Sequence, residues 1–243
     1  MRQHGGVVLG AGNDDSDDNG DSDDSGRLTP LGMTLHAVRL LGRPSHRDVI
    51  SLYWLYGLDH AEVGDLLLDA QAFGWVTRHD VTLPLVGRRV LWSLTDRGRE
   101  QNERWLAADV EARGARPALL AAHERFRPWN EQLLDACTRW QLRPTTFDPL
   151  AENDHHDVAY DAAIVDELDD LGRRLRRLTD SVTQVLPWFG VHAERFDAAL
   201  EGVHDGSLGW VDAPEWTSCH VVGMQLHEDL LASLGVSREA QAP

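Results

Sequence analysis

Histidine and carboxylate side chains gather in the second half of the chain, where they could bind a ligand or a metal ion. Apolar residues from Ile164 to Val185 alternate steps of four and three, which predicts one long helix over residues 158–186. Extending that apolar stripe backward by the same steps reaches Asp161 and Asp157. A buried carboxylate needs a partner, because an unpaired charge inside a core is strongly destabilising.

Partners for these carboxylates stand just upstream and on the final predicted helix. His155 and His156 precede the long helix, and His220 and His227 lie on the last one. Imidazole and carboxylate groups suit an organic effector or a divalent metal such as zinc, iron or manganese. Tryptophans in the same half suit planar or apolar ligands. The effector-binding residues that we predict are His155, Asp157, Asp161, Trp140, Trp216, His220 and His227.

The spacing of these residues favours an effector pocket over a metal centre or an active site. His220 and His227 are two helical turns apart, about 10 Å along the axis, so they cannot both ligate one ion on a straight helix. The sequence contains no HExxH, no glycine-rich phosphate loop, no GxSxG and no CxxC. We therefore predict no enzyme, no metal and no cofactor. The plainer alternative is that these polar residues only satisfy one another within the core.

The elements that must position this cluster begin with three helices and a hairpin. Ser45 can cap the second helix with Asp48 three residues on, and Thr95 can cap the helix after the hairpin. The predicted helices are 34–41, 45–55, 59–74, 96–113, 117–126, 128–140, 158–186, 192–203 and 215–234, and the predicted strands are 75–78 and 89–94.

Two short motifs in this N-terminal segment are typical of one protein family. Gly74-Trp75-Val76 follows the third helix, and Leu94-Thr95-Asp96-Arg97-Gly98-Arg99 follows the second strand. Together with the helices before them, they resemble the winged-helix transcription regulators of the MarR and PadR kind over about residues 33–106. The resemblance implies a homodimer that places one recognition helix per subunit in successive major grooves of DNA. The DNA-binding residues that we predict are Arg43, His46, Arg47, His60, Gln71, Arg78, Arg88 and Arg89.

The third helix departs from what DNA reading requires. Its outer positions carry Glu62, Asp65 and Asp69, and it contains no Lys or Arg. Carboxylates repel phosphates, and base edges are commonly read by Arg, Lys, Asn or Gln. The alternative is a winged helix that docks onto a protein instead of DNA, and a further alternative is an enzyme that uses the His/Asp cluster. The inner stripe of this helix is predicted to be Val63, Leu66, Leu67, Ala70 and Phe73.

Charge is spread unevenly along a chain whose net charge is -17 and which contains no lysine. Residues 1–26 carry seven Asp and one Arg, residues 27–106 carry ten Arg and nine acids, and residues 107–243 carry twelve Arg and 24 acids. The winged-helix part is the least acidic, which favours DNA as its ligand. Residues 11–26 contain no large apolar side chain, so we predict a disordered acidic tail.

These observations predict a mainly α protein, built as a winged helix-turn-helix with a two-stranded wing and a helical, bundle-like domain. The predicted parts are the tail at 1–28, the winged helix with its linker helix at 29–113, and a dimerisation and effector domain at 114–243. No signal peptide is visible, and no apolar run reaches the roughly 20 residues that span a bilayer. We therefore expect a cytoplasmic transcriptional regulator without membrane contact, with DNA, a second copy and a small effector as partners. Cys137 and Cys219 are predicted to be buried free thiols.

Overall fold

A computed structural model of the chain describes residues 28–53, 60–83, 87–214 and 217–236. Residues 1–27 of the predicted tail and Trp216 lie outside this part. The described part is mainly helical with one two-stranded antiparallel sheet, which confirms the predicted mainly α architecture with a small β element. The elements are α1 (Pro30–Leu41), α2 (His46–Tyr53), α3 (His60–Ala72), β1 (Val76–Leu83), β2 (Gly87–Leu94), α4 (Asp96–Ala112), α5 (Arg116–Gln141), α6 (Val158–Thr183), α7 (Gly190–His204) and α8 (Cys219–Leu234), with short 3₁₀ helices at Pro187–Phe189 and Leu208–Trp210.

The first two helices begin at capped residues. The Thr29 hydroxyl accepts a hydrogen bond from the Gly32 amide at 3.1 Å, and Pro30 opens α1, so this helix starts earlier than predicted. The predicted Ser45 and Asp48 pair is confirmed at α2, where the Ser45 amide and hydroxyl each donate to the Asp48 carboxylate at 2.8 Å. Local capping chemistry therefore sets both helix starts.

The three N-terminal helices and the hairpin share one core. The two strands pair from Val76 with Leu94 to Leu83 with Gly87, so both are longer than the predicted strands. The Trp92 amide donates to the Pro44 carbonyl at 2.9 Å, which holds the segment between α1 and α2 beside β2. The buried residues of this core include Leu35, Val38, Val49, Leu52, Val63, Leu67, Val76 and Trp92.

The Leu-Thr-x-x-Gly-Arg motif at residues 94–99 is explained by local packing. Thr95 caps α4, since its hydroxyl accepts from the Gly98 amide at 3.0 Å, and it also donates to the Gly74 carbonyl at 2.8 Å. A Cβ atom at Gly98 would lie 1.9 Å from the Trp75 carbonyl oxygen, closer than any side chain can approach. Only glycine therefore lets α4 start against the turn that follows α3.

The C-terminal helices pack against one another, with α5 against α6 and α8, and α7 against α6 and α8. The two predicted segments 117–126 and 128–140 form the single helix α5, with Pro128 inside it, so the predicted break is wrong. Pro128 lies on the exposed side of α5, where water can satisfy the carbonyl that loses its partner. The long helix α6 is confirmed as one element, and α8 begins at Cys219 behind the Ser218 cap rather than at residue 215.

Helix α8 also contacts α1 and α4, so the first and last parts of the chain share buried surface. Cys137 and Cys219 are both buried and free, as predicted, and burial raises the pKa of the Cys137 thiol to about 12. Within the described ranges, none of the helices combines the length and apolar character that a membrane crossing requires.

Candidate functional site

The hairpin presents three exposed arginines, Arg78, Arg88 and Arg89. The side chain of Arg88 is 84% exposed and that of Arg78 is 41% exposed. Both approach the Asp80 carboxylate, Arg78 at 3.1 Å and Arg88 at 3.9 Å. Arg89 is also exposed, and because successive strand residues point to opposite faces, Arg88 and Arg89 project from the two sides of the ribbon. The hairpin therefore carries positive charge on both of its faces.

The other predicted phosphate contacts lie around the start of α2. Arg43 and Arg47 are exposed, and neither makes an ion pair with any residue that the structure describes. His46, the first residue of α2, is partly buried. Arg43 lines a cleft of about 490 Å³ together with Arg195 and Trp210, so it faces the C-terminal helices. Arg47 is thus the better placed of the two arginines for contact with a ligand outside the fold.

Helix α3 keeps its carboxylates at the surface. Glu62, Asp65 and Asp69 are exposed, and so is Gln71, whereas the side chain of His60 is outside what the structure describes. The predicted inward position of Phe73 is wrong, because its ring is 50% exposed. Helix α3 ends at Ala72 and the chain turns at Gly74, with φ +72°, so the Phe73 ring lies outside the helix and stacks on Trp75.

Three of the predicted effector residues come together beside a cleft. Asp161 lies 2.9 Å from Nδ1 of His155 and accepts a hydrogen bond from the side-chain amide of Asn153 at 2.8 Å. The His155 ring lies 4.7 Å from the Trp140 ring. The cleft has a volume of about 470 Å³, and its walls include Trp140, Asn153 and His155 with Leu208 opposite. The sequence identified this group except for Asn153.

The loop between α5 and α6 holds this group in place by backbone pairing. The Arg143 amide donates to the Ala151 carbonyl at 2.8 Å, and the Asn153 amide donates to the Gln141 carbonyl at 2.9 Å. His155 has φ +57°, the one positive value for a non-glycine residue in the described part of the chain. Its amide donates to the Asn153 side chain at 3.3 Å, which helps to hold this unusual backbone conformation.

Asp157 does not line a buried cavity, so the predicted extension of the apolar stripe is wrong at this position. It is the N-cap of α6, and its carboxylate accepts from the Tyr160 amide at 3.1 Å and from Arg143 at 2.5 Å. The Tyr160 amide and the Arg143 guanidinium lower the pKa of the Asp157 carboxyl. A residue that precedes the helix cannot continue a helical stripe, which is why the extrapolation failed.

His227 is not a partner of Asp161, and this prediction is also wrong. The His227 ring lies 5.8 Å from Phe126 and 6.0 Å from His123 on α5. The side-chain amide of Asn153 donates both to Asp161 and to the backbone carbonyl of Trp140, which is also on α5. Phe126 and Trp140 are fourteen residues apart on α5, roughly 21 Å along a helix axis. The two groups therefore lie at different levels of the bundle.

His220 also stays apart from the cleft group. Its Nε2 atom lies 3.0 Å from the Met224 sulfur, one turn further along α8, and its amide donates to the Val211 carbonyl at 3.0 Å. The predicted effector set thus divides into the Trp140, His155 and Asp161 group, a helix cap at Asp157 and two separate histidines.

A second His–Asp group, which sequence reasoning missed, lies fully buried between four helices. The Asp229 carboxylate of α8 accepts from His36 of α1 at 3.0 Å and from His192 of α7 at 2.8 Å. The Ser233 hydroxyl adds a third hydrogen bond at 3.2 Å. Nδ1 of His36 lies 3.4 Å from the Asn102 side-chain oxygen on α4. All these side chains are buried, so the group has no access to a substrate.

The charge state of this buried group follows from its surroundings. Burial alone would raise the pKa of the Asp229 carboxyl, but the charge of His36 and the hydrogen bonds from both histidines outweigh it and hold that pKa below its usual range. Asp229 is therefore an anion, and each histidine must donate to it through Nε2. Burial lowers the pKa of His192, so this imidazole is neutral and its Nδ1 atom, among the described residues, has no hydrogen-bond partner.

A layer of ion pairs covers one side of the buried group. The Arg39 side chain is 7% exposed and donates to Glu228 at 2.9 Å and to Glu103 at 3.0 Å. These contacts join α1, α4 and α8 at the surface above the buried carboxylate. The sequence signal for the group was a carboxylate on the apolar side of the final helix, with Leu226, Leu230 and Leu231 around Asp229.

Neither His–Asp group contains a metal arrangement. Over the ranges that the structure describes, no three His, Cys, Asp or Glu side chains are placed to hold a metal ion. No protein-family model matches the chain, and no curated protein matches it significantly.

Proposed function

We propose that this chain is a winged-helix regulator that binds DNA mainly through its hairpin. The observation that carries the proposal is the way the hairpin is held. The Trp92 amide fastens β2 to the segment between α1 and α2, so the base of the ribbon is fixed while its arginines extend into solvent. A rigid ribbon with cations on both faces suits insertion between two phosphate backbones.

The charge distribution assigns different tasks to the hairpin and to α3. Arg88 and Arg89 on the ribbon, with Arg47 at the start of α2, supply phosphate contacts that position the protein on a duplex. The acidic outer side of α3 supplies no side chain that commonly reads base edges except Gln71. The proposed binding is therefore dominated by phosphate contacts, with weak discrimination between sequences.

The same proposal assigns dimerisation and effector binding to the helical second half. The cleft beside Trp140 has a volume of about 470 Å³, within the range of roughly 300 to 1,000 Å³ that is usual for small-molecule sites. His155 lies at its wall, is partly buried and offers a polar contact to a ligand, and Asp161 holds the His155 ring from behind. Light scattering on the purified protein measures the oligomeric state directly.

The hairpin arginines provide the test of DNA binding. Replacing both Arg88 and Arg89 with Ala should weaken binding to all duplexes and reduce the slope of log K against log salt by about one unit per lost phosphate contact. Fluorescence anisotropy with a labelled duplex at several salt concentrations measures both effects. The matched control is Arg125→Ala with Arg127→Ala, two exposed arginines of α5 far from the hairpin in sequence. Equal losses in both pairs, or no binding by the native chain even at low salt, would remove the proposal.

A further inference from the structure

The outward side of α3 combines exposed apolar residues with carboxylates. Leu68 is 52% exposed and Phe73 is 50% exposed, although both are large apolar residues. Glu62, Asp65 and Asp69 are exposed around them. We call these five residues the α3 outer face. Its buried counterpart, which packs on α1 and α2, is formed by Val63, Leu67 and Ala70.

The spacing of these residues makes one continuous surface. Positions three and four apart are neighbours on a helix, so Asp65 adjoins Leu68 and Asp69, and Asp69 adjoins Phe73 just past the last helical turn. Leu68 therefore lies beside one carboxylate and Phe73 beside another. A partner that covers the apolar side chains must also meet the negative charges.

Phe73 is held in place by an aromatic stack. Its ring centroid lies 4.5 Å from that of Trp75, and Trp75 meets Trp105 of α4 edge-on at 5.1 Å. Trp75 and Trp105 pack against the core, so the outermost ring rests on a fixed support. A rigid, half-exposed aromatic loses little conformational entropy when a partner covers it, which is typical of side chains that dominate binding energies.

DNA does not fit this surface. Three carboxylates would face phosphates or the electronegative groove, and each would be repelled. Leu68 and Phe73 would gain nothing from contact with the charged backbone. Water is also a poor neighbour for two half-exposed large apolar side chains on one surface, and exposed apolar patches mark sites of contact with other proteins.

We propose that the α3 outer face docks a basic amphipathic segment of a partner protein. Arg or Lys side chains of that segment pair with Glu62, Asp65 and Asp69, and its apolar side chains cover Leu68 and Phe73. Charge complementarity sets the approach, and the apolar contact supplies most of the affinity. This docking does not depend on DNA binding, because the hairpin arginines lie on a different element.

The experiment uses a fluorescein-labelled amphipathic helical peptide of Leu, Ala and Arg, added to the full chain and followed by anisotropy. Leu68→Ser should weaken peptide binding about tenfold, the effect of losing one central apolar contact. Asp65→Asn with Asp69→Asn should weaken it by a similar factor and make binding less sensitive to salt. Both sites are exposed, so circular dichroism should show an unchanged fold.

Matched controls separate this surface from the overall negative charge of the chain. Leu134→Ser changes a leucine on α5 that is 41% exposed, and Glu124→Gln with Glu131→Gln removes two exposed carboxylates of the same helix. These variants should bind the peptide like the native chain. Equal weakening in both sets would mean that net charge alone attracts the peptide, and it would overturn the proposal.

A second copy of the chain or DNA would give a different result if either bound the α3 outer face. If Leu68→Ser changes the oligomeric state measured by light scattering, a second copy of the chain occupies the face and the proposal is wrong. If the same change weakens DNA binding, α3 contacts DNA and the proposal is again wrong. Loss of DNA binding in the Arg88 and Arg89 variant, with peptide binding intact, leaves the docking proposal standing and tests only the hairpin.

Discussion

The Asp229 group and the Asp161 group both pair a carboxylate with imidazole, but in opposite environments. Asp229 binds His36 and His192 at 3.0 and 2.8 Å, and Asp161 binds His155 at 2.9 Å. The side chains of the first group are 0% exposed, whereas His155 and Asp161 are 23% and 15% exposed. Bond lengths are alike, so the two groups differ in burial and in the number of histidines that each carboxylate binds.

The comparison separates a structural role from a binding role. A carboxylate that water can reach is satisfied in several ways, so the Asp161 group can lose a partner or accept a ligand at small cost. A carboxylate sealed among four helices has no substitute partner, so each of its hydrogen bonds is needed. We therefore expect the buried group to govern stability and the cleft group to be free for ligand contact.

The same substitution at both sites tests this difference most strongly. Asp229→Asn should lower the free energy of unfolding by about 3 kcal/mol or more, because the amide presents a donor to a histidine that also donates. Guanidinium unfolding followed by circular dichroism measures the loss. Changing His36, His192 and Asp229 together to Leu should restore most of the stability, since buried ion pairs are often replaceable by apolar residues. A loss below about 1 kcal/mol for the single change would mean that the two groups are equivalent.

The second-largest effect that we expect is a pH dependence of stability caused by His192. The folded-state pKa of His192 lies below its ordinary value of 6.5, mainly through burial, with the charges of Arg195 and His36 acting in the same direction and Asp229 opposing them. A histidine with a lowered pKa contributes full stability above 6.5 and loses it as the pH falls from 6.5 toward the folded pKa. The slope attributable to this one group is at most about 1.4 kcal/mol per pH unit.

This contribution is checked by measuring melting temperatures of the native chain and of His192→Gln between about pH 8 and pH 5. That range brackets the ordinary histidine pKa of about 6.5. The variant should have a flatter profile, because Gln keeps a donor for Asp229 but has no proton to gain. Asp229 itself contributes stability above its ordinary pKa of 3.8 and loses it only below that value. Identical profiles would show that the buried imidazole is not the titrating group.

The smallest effect is expected at the cleft. Asp161→Asn should lower the free energy of unfolding by about 1 kcal/mol or less, because the partly exposed pair is screened by water. The amide oxygen can still accept from Asn153, so one of the two contacts survives. The same unfolding measurement applies, and His155→Ala serves as the matched change on the other side of the pair. A loss as large as that at Asp229 would place the cleft group among the structural elements of the core.

The sequence was most informative where a structural feature depends on neighbouring residues. Ser45 with Asp48, and Thr95 at the start of α4, occupy the predicted capping positions, since a cap is a bond within one turn. The apolar spacing also predicted α6 as a single helix. These signals need no knowledge of how distant elements pack.

Side-chain partners across the fold could not be predicted in this way. His36 and Asp229 are 193 positions apart, and no local pattern relates them. The pairing of Asp161 with His227 assumed that α6 and α8 meet at the level of the cluster, but Asn153 and His155 in the preceding loop supply the partners instead. The apolar stripe was extended to Asp157, the residue just before the true start of α6, where it is a cap rather than a core residue.

The buried Asp229 carboxylate also constrains how the gene for this protein can evolve. Its three charged or imidazole members come from α1, α7 and α8, so one cluster draws on both ends of the chain. A recombination event that exchanged the first helices with those of another gene would leave Asp229 and His192 facing an unmatched neighbour. Such a hybrid protein would have an unpaired polar group in its core, even if each exchanged segment folds well in its original protein. We expect positions 36, 192 and 229 to change together or not at all, and the first and last helices to be inherited as one unit.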